Sequence, residues 1–556
     1  MAALCSRCMA GESLDQPVIC IALEGGPCSP CKERASVRHQ IKQLEEELTT
    51  LKAKHDSLAT AINTVHDPFI HKLPPEIGSH IFHLSLPASP PEITSCNFRP
   101  ASAALSNRAY EKAILKSWGD RNSVILDLGA VCRKWRQLAW ATPDLWDTVY
   151  LVIGPSMRRS LAQLLPGLLS EWLGRSGGLP LSIFFHHSRL TMLGDEFSDD
   201  SESDESESTN DALEVATGLA IGILNSHAGR WCNLHLNASA DILGRFSSSI
   251  QPKWLLGLEL TSDPSVGTLQ PKFMVKSVLN PTHLQLINFP LASIDIRRDN
   301  VTHATLCLNY FEEGLDFLRR APSLEYYRVS FYQPSVIRFE NSIIHSRLRS
   351  LHLSTLYLIT FLAAIELPSL EELTQNMNHQ NLPVATMLSF LKRSGCRLKI
   401  VHLYNFHRPS EALSILLQAI PSLERLQLCF DWVFEDTIVM DDFFTRLFRS
   451  APSSIFSDIS TNASLGSFLP HLQFMECSAQ SSITPFSWDH MVQLYRQGHR
   501  RSLILTSDAY HSHITDETAL QLLQLADDGV GLQIRDRRID GDFLESFRNR
   551  MRKNSV

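Results

Sequence analysis

The sequence predicts an α/β protein: a long N-terminal helix and a small helical module, followed by a βα solenoid. Three observations predict this. Residues from Ile41 to Val65 recur in alternating steps of three and four, the spacing of a helix seam. Two short stripes at helical spacing flank residues 87–124. From about Trp231 onward, pairs of Leu-x-Leu type return at steps of 24, 26, 22, 21, 24, 22, 28 and 25 residues, then 49. Such a period marks stacked repeats.

Composition sets the class. The chain has 556 residues, 44% apolar and 20% charged, enough for a large core. Its net charge is −8, but Asp195–Asp211 holds nine acids and no Lys or Arg, so the remainder carries +1. There is no basic footprint for nucleic acid. Val18–Leu23 is a short apolar run without a basic n-region, unlike a secretory signal. No run reaches the roughly 18 apolar residues needed to span a bilayer, so no membrane partner is expected. The expectation is a soluble intracellular protein, cytoplasmic or nuclear. The twelve cysteines, several in apolar patterns (Cys307, Cys396, Cys429), read as reduced thiols.

In chain order, residues 1–35 read as a cysteine-containing tail. Cys5-x-x-Cys8 and Cys28-x-x-Cys31, with 19 residues between the pairs, have the spacing of a four-cysteine zinc site. A tail with scattered cysteines accounts for the same residues, and no metal or other cofactor is assigned. Residues 36–66 form the coiled-coil helix. Ile41, Leu44, Leu48, Leu51, His55, Leu58, Ile62 and Val65 make its seam, among Glu45, Glu46, Glu47, Lys52 and Lys54. Such a helix either self-associates or folds back on the module that follows.

That module spans residues 68–150. It opens with Leu73-Pro74-Pro75-Glu76-Ile77 and runs to Ile81-Phe82. Proline suits a first helical turn, where no intrahelical N–H bond is lost. Ile77, Ile81 and Leu84 then make one stripe, and Leu128, Val131, Trp135 and Leu138 a second. Thr142-Pro143 ends the second helix, and Leu145-Trp146 follow.

These residues, read as Leu-Pro-Pro-Glu-Ile…Ile-Phe and Val-Cys-Arg-x-Trp-Arg-x-Leu-Ala…Thr-Pro-x-Leu-Trp, resemble the F-box of mushroom-forming fungi. The insert at 87–124 departs from a compact F-box, though a longer loop costs little free energy. The resemblance implies docking of a Skp-family adaptor onto a cullin–RING (SCF-type) ubiquitin ligase. It assigns Leu73, Pro74, Ile77, Ile81, Val131, Trp135, Leu145 and Trp146 to the F-box core and adaptor face. Ordinary helical core would give the same two stripes.

Residues 194–211 are expected to be disordered, since acids interleaved with serines bury nothing. From residue 230 to 540 the spelling is that of leucine-rich repeats. Pro368-Ser369-Leu370-Glu371-Glu372-Leu373 and Pro421-Ser422-Leu423-Glu424-Arg425-Leu426 are clear copies. Helical stripes are expected at 314–321, 360–365, 385–393, 411–420, 441–450, 488–497 and 516–525, and a polar cap at 540–553. The residue between paired leucines faces the other side of the sheet. That face collects His235, Glu259, Gln285, Cys307, Arg328, His352, His402, Gln427 and Glu476. His352 and His402 fall two strands, about 10 Å, apart, too far for one ordinary metal ion.

An F-box followed by such repeats resembles ubiquitin-ligase substrate receptors, with the repeats holding an unknown protein substrate. No nucleophile elbow, metal pair or phosphate loop is spelled anywhere, and no enzymatic activity is assigned. An interaction scaffold without ligase function is the alternative.

Overall fold

The computed structural model describes residues 28–66, 73–87, 122–155, 157–188, 205–248, 250–262, 273–275, 278–333, 342–355, 357–407, 411–430, 468–478, 501–507, 514–536 and 542–554, together with Leu447, Val492, Tyr495 and Arg496. The chain divides into two compact units. One comprises Met1–Pro87 with Arg121–Thr142, the other Ala88–Asp120 with Pro143–Val556. Cys5 and Cys8, most of the insert at 87–124 and the stripes at 441–450 and 488–497 lie outside the described residues, apart from the single residues named above.

In the first unit, α1 (Ser29–His66) is one helix of 38 residues, about 57 Å long at 1.5 Å per residue. It starts earlier than its seam implies, so Ser29–Ala35 belong to the helix rather than to a tail. Pro30 is tolerated there because first-turn N–H groups have no intrahelical acceptor. The Cys28 carbonyl accepts from the N–H groups of Cys31 and Lys32, both at 3.0 Å.

Helix α2 (Pro75–Ser85) begins as the proline pair predicts, and the Pro74 carbonyl accepts from Ile77 N–H at 3.0 Å. The second expected helix is two helices. Residues 122–131 form α3 and Arg133–Trp140 form α4. Between them Cys132 is extended (φ −157°, ψ 172°), and its Sγ accepts from Trp135 N–H at 3.4 Å. A side-chain cap therefore interrupts a stripe that apolar spacing reads as continuous.

The second unit is built on one sheet of 14 parallel strands among the described residues. In order these are β1 (Thr148–Ile153), β2 (Leu181–His187), β3 (Trp231–Ala238), β4 (Gly257–Ser262), β5 (His283–Ile287), β6 (His303–Tyr310) and β7 (Tyr326–Gln333). They continue as β8 (Ser350–Thr355), β9 (Glu372–Asn381), β10 (Ile400–His407), β11 (Arg425–Phe430), β12 (Phe474–Ser478), β13 (Ser502–Ser507) and β14 (Gly531–Asp536). Each strand pairs with its predecessor, so the order in the sheet is the order in the chain.

Between strands run α5 (Arg159–Arg175), α6 (Glu205–Ser226), α7 (Phe311–Arg320), α8 (Leu358–Ala363), α9 (Val384–Ser394), α10 (Glu411–Gln418) and α11 (Asp516–Asp527). Helix α12 (Phe543–Asn554) follows β14, where a polar cap is expected, and buries Leu544 and Phe547. Leucines of the strands and apolar residues of these helices form one continuous core.

The sheet corrects four expectations. It begins at Thr148, not near residue 230, because β1 and β2 are spelled with Val, Ile and Phe and their crossovers are long. Of the acidic segment, residues 194–204 lie outside the described residues and Glu205–Asp211 are helical, where a helix N-terminus favours carboxylates. The 49-residue step conceals no strand of the sheet, since β11 pairs directly with β12. In β6 it is Ala304 and Leu306, not Leu306 and Leu308, that align with Leu284 and Leu286. Cys307 therefore leaves the shared row and Thr305 takes its place.

No helix among the described residues is long and apolar enough to cross a membrane.

Candidate functional site

Each unit presents one surface with side chains placed to bind a partner. The first is the helix pair of the first unit. Phe82 is buried and meets Trp135 with ring centroids 4.9 Å apart. Gly78 lies beneath Leu138, whose Cδ2 stands 2.6 Å from where a Cβ on residue 78 would sit. Thr142 Oγ1 donates to the Leu138 carbonyl at 2.7 Å and accepts from Ser79 Oγ at 2.7 Å. Arg136 Nε donates to the Gly129 carbonyl at 2.8 Å, placing a cation at the end of α3.

These interior contacts leave other residues outside. Ile77 is 47% exposed, Ile81 41%, Leu84 69% and Val131 54%. Ile77, Ile81 and Leu84 are the first stripe that periodicity assigns to helix packing and Val131 belongs to the second, yet Gly78 and Phe82 do the packing on α2. Pro74 is exposed, while Leu73 and Trp135 are half-buried. Leu145 and Trp146 belong to the other unit and are buried there. Trp146 stacks edge-on against Trp172 at 4.6 Å, with the Arg175 guanidinium 4.5 Å from the Trp146 ring centre. The structure therefore brings together Ile77 and Ile81 on one helix and places Leu145 and Trp146 in the sheet unit. Phe82 and Gly78 are the residues that sequence reasoning left out of the site, although Phe82 stands within the motif itself.

The second surface is a row across the sheet. Strand register aligns Tyr150, Phe184, His235, Glu259, Gln285, Thr305, Arg328, His352, Thr374, His402, Gln427 and Glu476. Leucines or other apolar residues flank each and point into the core, with Gln375 beside Thr374 the exception, so the row lies on the opposite face. Tyr150, Phe184 and His235 stack in succession, with centroids 4.7 and 4.3 Å apart. Glu259 then accepts from Gln285 Nε2 and lies 2.7 Å from His235 Nδ1. Further along, Tyr404, one pair beyond the row, donates its hydroxyl to Gln427 Oε1 at 2.8 Å.

Electrostatics of the row are set by partial burial. Desolvation, then the charge of Arg328 and the proximity of His402, pull the His352 pKa down to about 3. Burial also lowers the pKa of His402, with Glu372 opposing and Arg425 reinforcing the shift. Both imidazoles are neutral at pH 7 and offer hydrogen bonds rather than charge. Burial pushes the Tyr404 hydroxyl up to about 12. His352 and His402 are separated by β9, and no cluster suited to a metal ion occurs among the described residues. Of the four cysteines in the two Cys-x-x-Cys pairs, Cys28 and Cys31 are described and flank the start of α1.

A pocket of about 490 Å³ opens between α9 and the segment after α10, lined by Leu388, Lys392, Cys396, Ile420 and His471 among others. Burial pushes the Cys396 thiol up to about 11, away from the thiolate that nucleophilic chemistry needs.

No protein-family model matches the chain, and none of the curated proteins matches its sequence.

Proposed function

We propose that the protein is the substrate-recognition subunit of an SCF-type cullin–RING ubiquitin ligase. In this reading residues 68–150 are an F-box with an insert. The parallel sheet with its helices is a leucine-rich-repeat solenoid. A Skp-family adaptor docks on the F-box, and a protein substrate docks on the polar row of the sheet.

The observation that carries the reading is the exposure of Ile77, Ile81, Leu84 and Val131 on helices whose interior is already filled by Gly78, Phe82 and Trp135. Apolar side chains left outside a completed helix pair suit a partner helix, and short apolar stripes are read by partners at this spacing. The motif spelling supplies the partner class. Chain order repeated as sheet order, with a leucine core on one face, supports the repeat reading. A receptor contributes proximity rather than bond chemistry, so a high-pKa Cys396 is compatible with the role.

Affinity purification of the tagged full chain tests the proposal. Adaptor and cullin should accompany the unsubstituted protein and be lost with Ile77→Asp plus Ile81→Asp. Proteins retained by both forms are substrate candidates. Equal recovery of adaptor by both forms, or its absence from both, rejects the reading. The second reading is a scaffold without ligase function, which the exposed seam of α1 favours. It requires stable partner complexes lacking any cullin.

A further inference from the structure

We infer that α1 pairs with α1 of a second copy of this chain, in parallel and in register, as a two-stranded coiled coil. The inference is independent of the function proposed above.

The seam is apolar and uncovered. Ile41, Leu44, Leu48, Leu51, Leu58 and Ile62 are each between 45% and 63% exposed. Their alternating steps place Ile41, Leu48, His55 and Ile62 at the first core position of each heptad. Leu44, Leu51 and Leu58 take the second. Two of these four first positions are isoleucine and all three second positions are leucine, and isoleucine at the first with leucine at the second favours two parallel strands.

The charges beside the seam suit a second copy of the same helix. In a parallel pair each residue just before a first core position faces the residue five further on in the partner. Glu47 of one copy then faces Lys52 of the other, and symmetry doubles the contact. The remaining flanking pairs, Gln40 with Glu45, Lys54 with Ala59 and Ala61 with His66, bring no like charges together.

Charge alone does not set direction, because a centred antiparallel pair would place Glu47 against Lys54 and Glu45 against Lys52. His55 sets it. Antiparallel packing buries each His55 against Leu44 of the other copy, leaving ring nitrogens facing hydrocarbon. Parallel packing sets His55 against His55, so that each ring can hydrogen-bond to the other. A single polar pair in a core position is a known means of fixing register.

Sedimentation equilibrium of the full-length protein tests the inference. The unsubstituted chain should be a dimer at micromolar concentration. Glu47→Lys replaces both opposite-charge contacts to Lys52 by pairs of like cations. It should weaken the dimer about tenfold, the scale of two exposed contacts changing sign. Glu47→Lys with Lys52→Glu restores opposite charges only in the parallel arrangement, and should return affinity to within about threefold of the original. In the antiparallel arrangement the same double change sets a second carboxylate against Glu45 and weakens the dimer further. Circular dichroism checks that helix content is retained, as expected at exposed positions. A monomer at tens of micromolar, a dimer indifferent to Glu47→Lys, or a double variant weaker than the single one overturns the inference.

Discussion

Phe82 and Trp135 meet with ring centroids 4.9 Å apart and planes inclined at 43°, joining α2 to α4 across a long stretch of chain. Large apolar groups in contact at a buried position carry most of the energy of so small an interface. Phe82→Ala should therefore cost about 3–5 kcal/mol within the first unit. Hydrogen exchange should show α4 amides losing protection while the strands of the sheet keep theirs. Unchanged protection of α4 would show that this contact does not hold the pair.

Gly314 sits on α7, where alanine would ordinarily be the better helix former by about 1 kcal/mol. Here a Cβ would stand 2.5 Å from Phe331 Cε1 and 3.2 Å from the Tyr327 hydroxyl. Both rings are nearly or fully buried, and Tyr327 donates to the Gly314 carbonyl at 3.0 Å. Gly314→Ala should be net destabilising by about 1–3 kcal/mol in chemical unfolding. A stabilising result would mean that the rings move aside freely.

Gln375 gives the opposite sign. Register places it in the leucine row, between Leu353 and Leu403, where it is 1% exposed. Its Nε2 lies 2.9 Å from Met377 Sδ, and its Oε1 has no hydrogen-bond partner. Gln375→Leu removes a buried unsatisfied oxygen and should stabilise the second unit by about 1–3 kcal/mol. Loss of stability would show that the amide is satisfied in solution.

Gln375 also shows where the sequence stops being legible. The strand starting at Glu372 lacks the second leucine of its pair, and Ala304 replaces the first in β6, so spelling alone misplaces Cys307 by one pair along the strand. Strands with Leu at both positions, such as β8 and β11, are legible because alternation with a fixed hand of burial leaves one solution. The helix pair is legible as two stripes but not as an interface, because periodicity marks apolar faces without saying what covers them. Phe82 and Ile81 are adjacent and equally apolar, yet one is buried and the other 41% exposed. The break at Cys132 depends on one side-chain cap, which no apolar spacing records.

Acid should weaken the sheet through His352. Its folded pKa of about 3 lies below the ordinary 6.5. Between those values the unfolded chain binds the extra proton, so stability rises with pH there and levels off above pH 6.5. Glu372, 3.7 Å from His352 Nε2, pulls the other way but is outweighed by burial and Arg328. His402, also lowered, adds to the same trend. Going from about pH 6.5 to 5 should cost up to about 2 kcal/mol through His352. Urea midpoints at about pH 7.5 and 5.0 should differ accordingly, and His352→Asn should narrow the difference. Equal narrowing from His283→Asn, on an exposed residue, would point to a general charge effect.

Central to the proposed function is that Ile77 and Ile81 are exposed in order to meet an adaptor. Calorimetric titration of the purified full chain with a purified Skp-family adaptor tests it most directly. The expected result is a saturable one-to-one complex, weakened at least about a hundredfold by Ile77→Asp with Ile81→Asp, as when two apolar anchors are lost. The far-ultraviolet spectrum should stay that of the unsubstituted protein, because neither side chain fills the helix pair's interior. No heat of binding with the unsubstituted chain, or equal affinity with the double variant, would contradict the claim and leave the stripe without its proposed partner.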